Sequence, residues 1–262
     1  MKIKEITTFL EEFAPLEYQE SYDNCGLIVG DANTTINGAL ITLDCTEEII
    51  DEAIATGCNL IIAHHPIIFS GLKKLNGTNY IERTVIKAIK NDIAIYAFHT
   101  NLDNVHNGVS AKIAEKLGLE KCKVLAPNSD FQNQRVGLGI IGELKEPIET
   151  SKFLIDIKTN MQTNCIRYTS LVKKEIKRVA VCGGSGSILL KNAKAADADI
   201  FISADFKYHD FFDAENDIVI ADIGHYESEQ FTKDLIYDLL VKNFTKFAVR
   251  LSKVNTNPIK YL

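Results

Sequence analysis

The sequence predicts an α/β protein made of two similar, interlinked lobes with mainly parallel or mixed sheets. Three observations carry this. Short apolar runs alternate with helical patterns, as strands and helices do in βαβ units. The alternation occurs twice along the chain. And 262 residues are enough for two compact lobes.

The first element is a short amphipathic helix, because MKIKEITTFLEEFAPLEY sets apolar residues at helical spacing among acidic ones. That segment has neither the apolar core nor the cleavage site of a secretion signal. Residues 38–43 (GALITL), 59–63 (NLIIA) and 93–98 (IAIYAF) read as buried strands, with helices at about 46–56 and 79–91 between them. The weakest connection is 121–137, where Pro127, Asn128 and Ser129 favour turns. The first lobe is therefore expected over 1–126 and the second over 127–229, with 230–262 packing back on the first. The second lobe opens with GLGIIGEL, a helix at SKFLIDIKTN, and CIRYTSL. A second series follows: a strand at 177–183, a helix at about 186–196, and strands at 199–204 and 217–222.

The two series match at fixed offsets. Ile49 and Ala53 align with Leu189 and Ala193 at an offset of 140, as does LIIA with IFIS. Residues 91–95 (NDIAI) align with 216–220 (NDIVI) at an offset of 125. Any two βαβ units share some pattern, and an internal duplication is the sharper reading. Each copy ends a strand near a histidine, His99 or His225, and strand ends of open α/β sheets are where ligands bind.

Composition narrows the function. The net charge of −6 argues against nucleic acid, which requires clustered Lys and Arg. No apolar run reaches membrane-span length, so a cytoplasmic protein is expected. The six cysteines have no C-x-x-C spacing and read as reduced thiols, with neither a zinc-cysteine site nor a disulfide framework.

Three segments carry chemistry. In IIAHHPIIF a buried strand runs into His64 and His65, with Pro66 holding His65 extended. Alternation along a strand would turn the two imidazoles to opposite faces, which favours one metal ion per imidazole; a hydrogen-bonded structural pair is the alternative. In YAFHTNLDNVHNG, His99 ends a strand and Asp103 follows four residues later. Asp103 suits a bridging metal ligand, and also a turn or a helix cap. His99 suits a ligand, a partner of a ligand, or a proton donor, and His106 reads as surface. In GHYESEQFTKDLIYDLL, the spacing of Phe231, Leu235, Leu239 and Leu240 starts a helix near Tyr226. His225 and Glu229 then share one face, and Glu227 points elsewhere.

Three imidazoles and two carboxylates suit Zn, Fe or Mn better than Ca or Mg. Five protein ligands are too many for one tetrahedral ion with an open position, so two divalent ions per subunit are expected on His64, His65, Asp103, His225 and Glu229, between the lobes. VCGGSGS (181–187) suits a tight turn, and equally a phosphate cradle, though without the Lys of a P-loop. Asp205, Lys207 and His209 either line the same cleft or open a helix.

In order, SYDNCGLIVGD, IIAHHPIIF, FHTNLD, CGGSGS, SADFKYHD and IGHYESE resemble the family of GTP cyclohydrolase 1 type 2 homologues, over nearly the whole chain. The chain resembles the short members, without the domain that longer ones insert. The resemblance implies a toroidal homohexamer with dinuclear sites on its internal cavity, ligands on the same five residues, and His99 beside the metals as a tentative catalytic group. It suggests metal-dependent hydrolysis of a nucleotide-like small molecule. The alternative is a non-catalytic metal chaperone, store or regulatory interaction protein, since eukaryotic relatives are named for interaction with a transcriptional co-regulator. The family commonly has Trp where Tyr22 stands and Gly where Ala204 stands, departures that bear on cleft shape.

Overall fold

Runs such as Ala39–Leu40–Ile41 and Ile200–Phe201–Ile202 bury every side chain, which is the pattern of strands covered on both faces of a parallel sheet. The computed structural model describes residues 1–131 and 135–262; part of the expected 121–137 linker, at 132–134, lies outside the described residues.

In chain order the elements are α1 (Ile3–Phe13), β1 (Gly26–Val29), β2 (Gly38–Thr42), α2 (Glu47–Thr56), β3 (Leu60–Ala63), α3 (Tyr80–Lys90), β4 (Ala94–Ala97) and α4 (Thr100–Asp103). Then come α5 (Val109–Lys116), β5 (Glu120–Pro127), β6 (Gly137–Glu149), α6 (Thr150–Asn160), β7 (Arg167–Tyr168) and β8 (Glu175–Ser185). The last are α7 (Leu190–Ala195), β9 (Ile200–Ala204), β10 (Val219–Asp222), α8 (His225–Glu229), α9 (Thr232–Asn243) and β11 (Ala248–Leu251).

The chain divides into two units, 1–102 with 232–258, and 103–231 with 259–262. The division falls at 102/103, where the sequence reading puts it at 126/127. The cause is β5: it pairs antiparallel with β6 and so joins the second sheet. α9 and β11 return to the first unit, and the last four residues belong to the second.

The first unit carries a five-stranded sheet of order β1-β4-β3-β2-β11. β2, β3 and β4 are mutually parallel, and β1 runs antiparallel to β4. Helices α2 and α3 bury Ile49, Ile50, Ala53, Val85 and Ala88 against Leu40, Ile61 and Ile95. Helix α2 stops at Gly57, whose φ of +70° closes its last turn.

The second unit carries a six-stranded sheet of order β5-β6-β8-β9-β10-β7. Here β8, β9 and β10 are parallel, and β7 runs antiparallel to β10. Alternate residues face two separate cores. Val179, Val181, Ile200, Ile202 and Val219 pack with residues of α5 and α6, and Ala180, Cys182, Phe201 and Ile220 with Leu190, Ala193 and Phe206.

The order β1-β4-β3-β2 has its counterpart in β7-β10-β9-β8, with the same directions and the same chain order. The register repeats as well. Ala39, Leu60 and Ala94 lie in one row across the first sheet, and Val179, Ile200 and Val219 in one row across the second. The offsets between these rows, 179 against 39, 200 against 60 and 219 against 94, are the 140 and 125 that the sequence shows. The duplication reading therefore gains an observation that generic βαβ similarity does not supply.

No helix among the described residues is long and apolar enough to cross a membrane. The six cysteines are unpaired: Cys45, Cys58 and Cys182 are buried, Cys25 and Cys122 partly so, and Cys165 is exposed.

Candidate metal centre

In the first unit, parallel pairing puts the C-terminal ends of β2, β3 and β4 side by side. Ala63 pairs with Ala97, so His64 and His99 leave the sheet at one edge. Antiparallel β1 begins there too, since Gly26 pairs with Ala97; this brings in Asp23 and Cys25. One ring nitrogen of each of His64, His65 and His99 lies within 4.8 Å of the others, a spacing that can hold an ion.

β3 ends at Ala63, so strand alternation does not reach the histidine pair. The rings of His64 and His65 have centroids 4.9 Å apart and are tilted by 47°. The expectation that adjacent histidines must face apart loses its premise, and the case for two ions rests on the number of donors.

Each imidazole is held by its Nδ1. His64 Nδ1 lies 2.8 Å from the Phe98 carbonyl oxygen, and His65 Nδ1 2.8 Å from Asp44 Oδ1. His99 Nδ1 lies 2.8 Å from both oxygens of Asp23. All these partners are acceptors, which assigns a proton to Nδ1; in the neutral ring Nε2 then carries the lone pair that a metal ion takes. Asp23 also accepts from the Thr100 hydroxyl and from Cys25 Sγ. Burial pushes its carboxyl up, but the His99, Thr100 and Cys25 contacts outweigh that and hold it well below the usual range. Burial, with Asp23 beside it, pushes the Cys25 thiol up to about 12, so it stays a protonated donor.

In the second unit the corresponding strand ends are β8, β9 and β10. His225 follows Gly224, whose φ of +93° turns the chain into α8. His225 Nε2 lies 3.1 Å from Glu229 Oε2, four residues on. His225 Nδ1 lies 2.6 Å from Asp205 Oδ2. Asp205 itself has a φ of +59°, a left-handed conformation that a non-glycine residue adopts at a cost of roughly 1–2 kcal/mol. Glu229 is buried. Asp103 belongs to the same unit. Burial pushes the Cys182 thiol upward, and the charges of Asp103 and Glu229 add to the shift. Asp103 does not cap α5, whose N-cap is Gly108.

Glu227 turns away as expected, packing its carboxylate against Gly224 and Tyr261. The glycine-rich stretch finds a local explanation. β8 continues to Ser185, and a Cβ on Gly184 would collide with Glu229 Oε1 and lie 3.3 Å from His225 Cε1. The Gly184 N–H donates to Ser228 Oγ at 2.9 Å. These glycines let a strand pass close under α8. Of SADFKYHD, Asp205 serves His225, the Lys207 N–H donates to Asp210, and His209 packs on Tyr208 and Phe212.

The structure thus brings His64 and His65 together with His99 in one unit, and His225 with Glu229 in the other, the unit to which Asp103 also belongs. Sequence reasoning missed Asp44 and gave Asp23 no role. The donor chemistry of the first unit, three imidazoles anchored from behind at Nδ1, fits a divalent first-row ion, and the second unit adds an imidazole and a carboxylate in His225 and Glu229.

Two predictions follow the anchoring. Asp205→Ala should lower metal affinity by about 10–100-fold, measured by competition with a chromophoric chelator, because His225 loses the acceptor that orients it. The second concerns protons. Burial pulls the His225 imidazole down, but Glu229 and Asp205 outweigh it, and in metal-free protein it is pushed up to about 11. A raised value stabilises the folded metal-free chain fully below the unfolded value of 6.5, and that stability is lost as pH rises through about 11. An ion must displace this proton. Calorimetry in buffers of different ionisation enthalpy should therefore show proton release on binding at pH 7–9 and an affinity that climbs with pH.

Comparison with known proteins gives the family. The model of the family described as Duf34/NIF3 (NGG1p interacting factor 3) matches residues 1–258. A Clostridium perfringens protein named GTP cyclohydrolase 1 type 2 homolog is 36% identical over 230 residues, 87% of each chain. A Staphylococcus epidermidis protein of the same name is 27% identical, with all of both chains covered. That alignment runs over 366 positions against 262 residues here, so the relative carries segments this chain lacks. The crystal structure of a hypothetical protein of Staphylococcus aureus superposes with a TM-score of 0.92 at 30% identity, covering 100% of this chain and 99% of that one.

Proposed function

This chain belongs to the Duf34/NIF3 family, and from that premise and its donor set we propose that it binds two divalent metal ions through His64, His65, Asp103, His225 and Glu229 and hydrolyses a nucleotide-like small molecule. The observation that carries the reading is the common orientation of the imidazoles. His64, His65, His99 and His225 each engage Nδ1 with an acceptor, and Nε2 of His225 faces Glu229, a fellow member of the proposed ligand set. A set of buried structural histidines has no reason to share that polarity; metal-binding histidines do. Five donors exceed what one ion with an open position takes, and Asp103 and Glu229 are carboxylates able to bridge two.

When bound, such ions supply the positive charge that makes water a nucleophile near neutral pH. The chain's residues do the rest. Asp44 and the Phe98 carbonyl fix the rings of His65 and His64. Asp205 fixes His225. His99, clamped by Asp23, would pass a proton to or from substrate. The assembly is the toroidal homohexamer expected of the family, to be tested by light scattering on the purified protein.

The activity test is a metabolite screen, with GTP included, on anaerobically purified, metal-loaded protein. A substrate consumed by the wild type and untouched by His65→Ala supports the hydrolase. If the two proteins behave identically on every compound, the second reading stands: a metal chaperone, store or regulatory partner, which the family description as an interacting factor favours.

A further inference from the structure

The donor cluster of the first unit has an aromatic rim that metal binding does not use. Tyr22 is 64% exposed and Phe69 47% exposed. Their ring centroids are 6.1 Å apart with planes tilted by 49°, and the Phe69 ring lies 6.3 Å from that of His99. Large rings left in water beside a polar cluster forgo burial, and aromatic walls with a few polar groups are the makeup of small-molecule sites.

The pair is also held in place. Asn24 Nδ2 donates to the Ile68 carbonyl at 2.7 Å, tying the residue before Phe69 to the segment that carries Tyr22. The Asn24 N–H donates to Asp23, the carboxylate that clamps His99. At the far end of the same loop, Glu82 accepts from the backbone N–H groups of Asn76 and Thr78 at 3.2 and 2.9 Å. Between these two anchors stand Lys73 and Lys74, both exposed, and no acidic residue occurs from 66 to 81. In a chain of net charge −6 this is a local positive stretch.

We propose that Tyr22 and Phe69 form a stacking platform for a planar unsaturated ring of the substrate, with Lys73 and Lys74 meeting an anionic group on the same molecule. The proposal rests on the reading of His64, His65 and His99 as part of the reaction site. It narrows the substrate to a heteroaromatic ring compound with a negatively charged substituent, and makes Tyr22 and Phe69 the residues that select for the ring.

The chain has no Trp, so Tyr22→Trp places a single indole on the platform. Metal-loaded Tyr22→Trp is titrated with guanosine 5′-monophosphate, with guanosine, and with ribose 5-phosphate, while indole fluorescence is followed. The expected result is saturable quenching by the nucleotide, weaker binding of guanosine, and none by ribose 5-phosphate. Adding Phe69→Ala should weaken nucleotide binding roughly tenfold to a hundredfold, the usual worth of one stacked base. Adding Lys73→Ala and Lys74→Ala instead should bring the nucleotide down toward guanosine. Quenching by ribose 5-phosphate equal to that by the nucleotide, no quenching by any probe, or indifference to Phe69→Ala would overturn the platform. Metal content is measured on the same samples: full loading with no stacking sinks the platform alone, and loss of metal from the wild type sinks the reading beneath it.

Discussion

Glu229→Ala is expected to take the metal content of the purified protein from two equivalents per chain to about none. Glu229 is 3% exposed, with Oε2 3.1 Å from His225 Nε2. In the proposed centre it is one of two carboxylates available to bridge, so its loss affects both ions. Removing a residue that merely orients a ligand costs about 10–100-fold in affinity; removing a shared ligand should cost more than the upper end of that range. Losing Glu229 also loosens the His225 proton that the ion must displace, which offsets only part of the loss of a ligand. Elemental analysis gives the stoichiometry, and chelator competition gives the affinity.

Gly184→Ala should destabilise the protein and weaken metal binding together. Gly184 has a φ of +58°, and an added Cβ would strike the Glu229 carboxylate, with Glu229 Cδ at 3.2 Å. The left-handed backbone costs an alanine about 1–2 kcal/mol, and crowding a packed site adds about 1–3 kcal/mol. For a chain of this length that corresponds to a fall in Tm of roughly 5–15 °C. Gly57→Ala is the control. It has a φ of +70° but nothing within 4 Å of a new Cβ, so it carries the backbone cost alone, about 1–2 kcal/mol, and should keep its metal. Equal effects of the two substitutions would mean that the contact with Glu229 is unimportant.

Much of the fold was legible because its core strands bury both faces. Uninterrupted runs such as LIIA and IFIS have few other readings, and the offsets of 140 and 125 turn out to be the register of two equivalent sheets. The unit boundary was less legible. A turn does follow at Asn128 and Ser129, but β5, which ends at Pro127, pairs with β6, so the turn lies inside a sheet. The helix expected from Tyr226 onward is two helices, α8 and α9, with Gln230 and Phe231 between them; periodicity ran on because Phe231 is buried in the core of the second unit while α9 belongs to the first.

The candidate ligands were legible because histidine is scarce in this chain and stands at strand ends. Their anchors were not. Asp44 lies 21 residues from His65 and Asp23 76 residues from His99, distances that only strand pairing closes. Alternation also misled at His64 and His65, since it holds only as far as the strand does. The glycines of CGGSGS looked like a phosphate loop because a close approach of two protein segments and a close approach of a ligand ask the same thing of the backbone.

The proposal is that His64, His65, Asp103, His225 and Glu229 hold one pair of ions. It is tested most directly by elemental analysis of anaerobically purified wild type, His65→Ala from the first unit and Glu229→Ala from the second. The account predicts two equivalents per chain in the wild type and about none in either variant. One equivalent lost from each variant, with the other retained, would mean two separate sites and would contradict it.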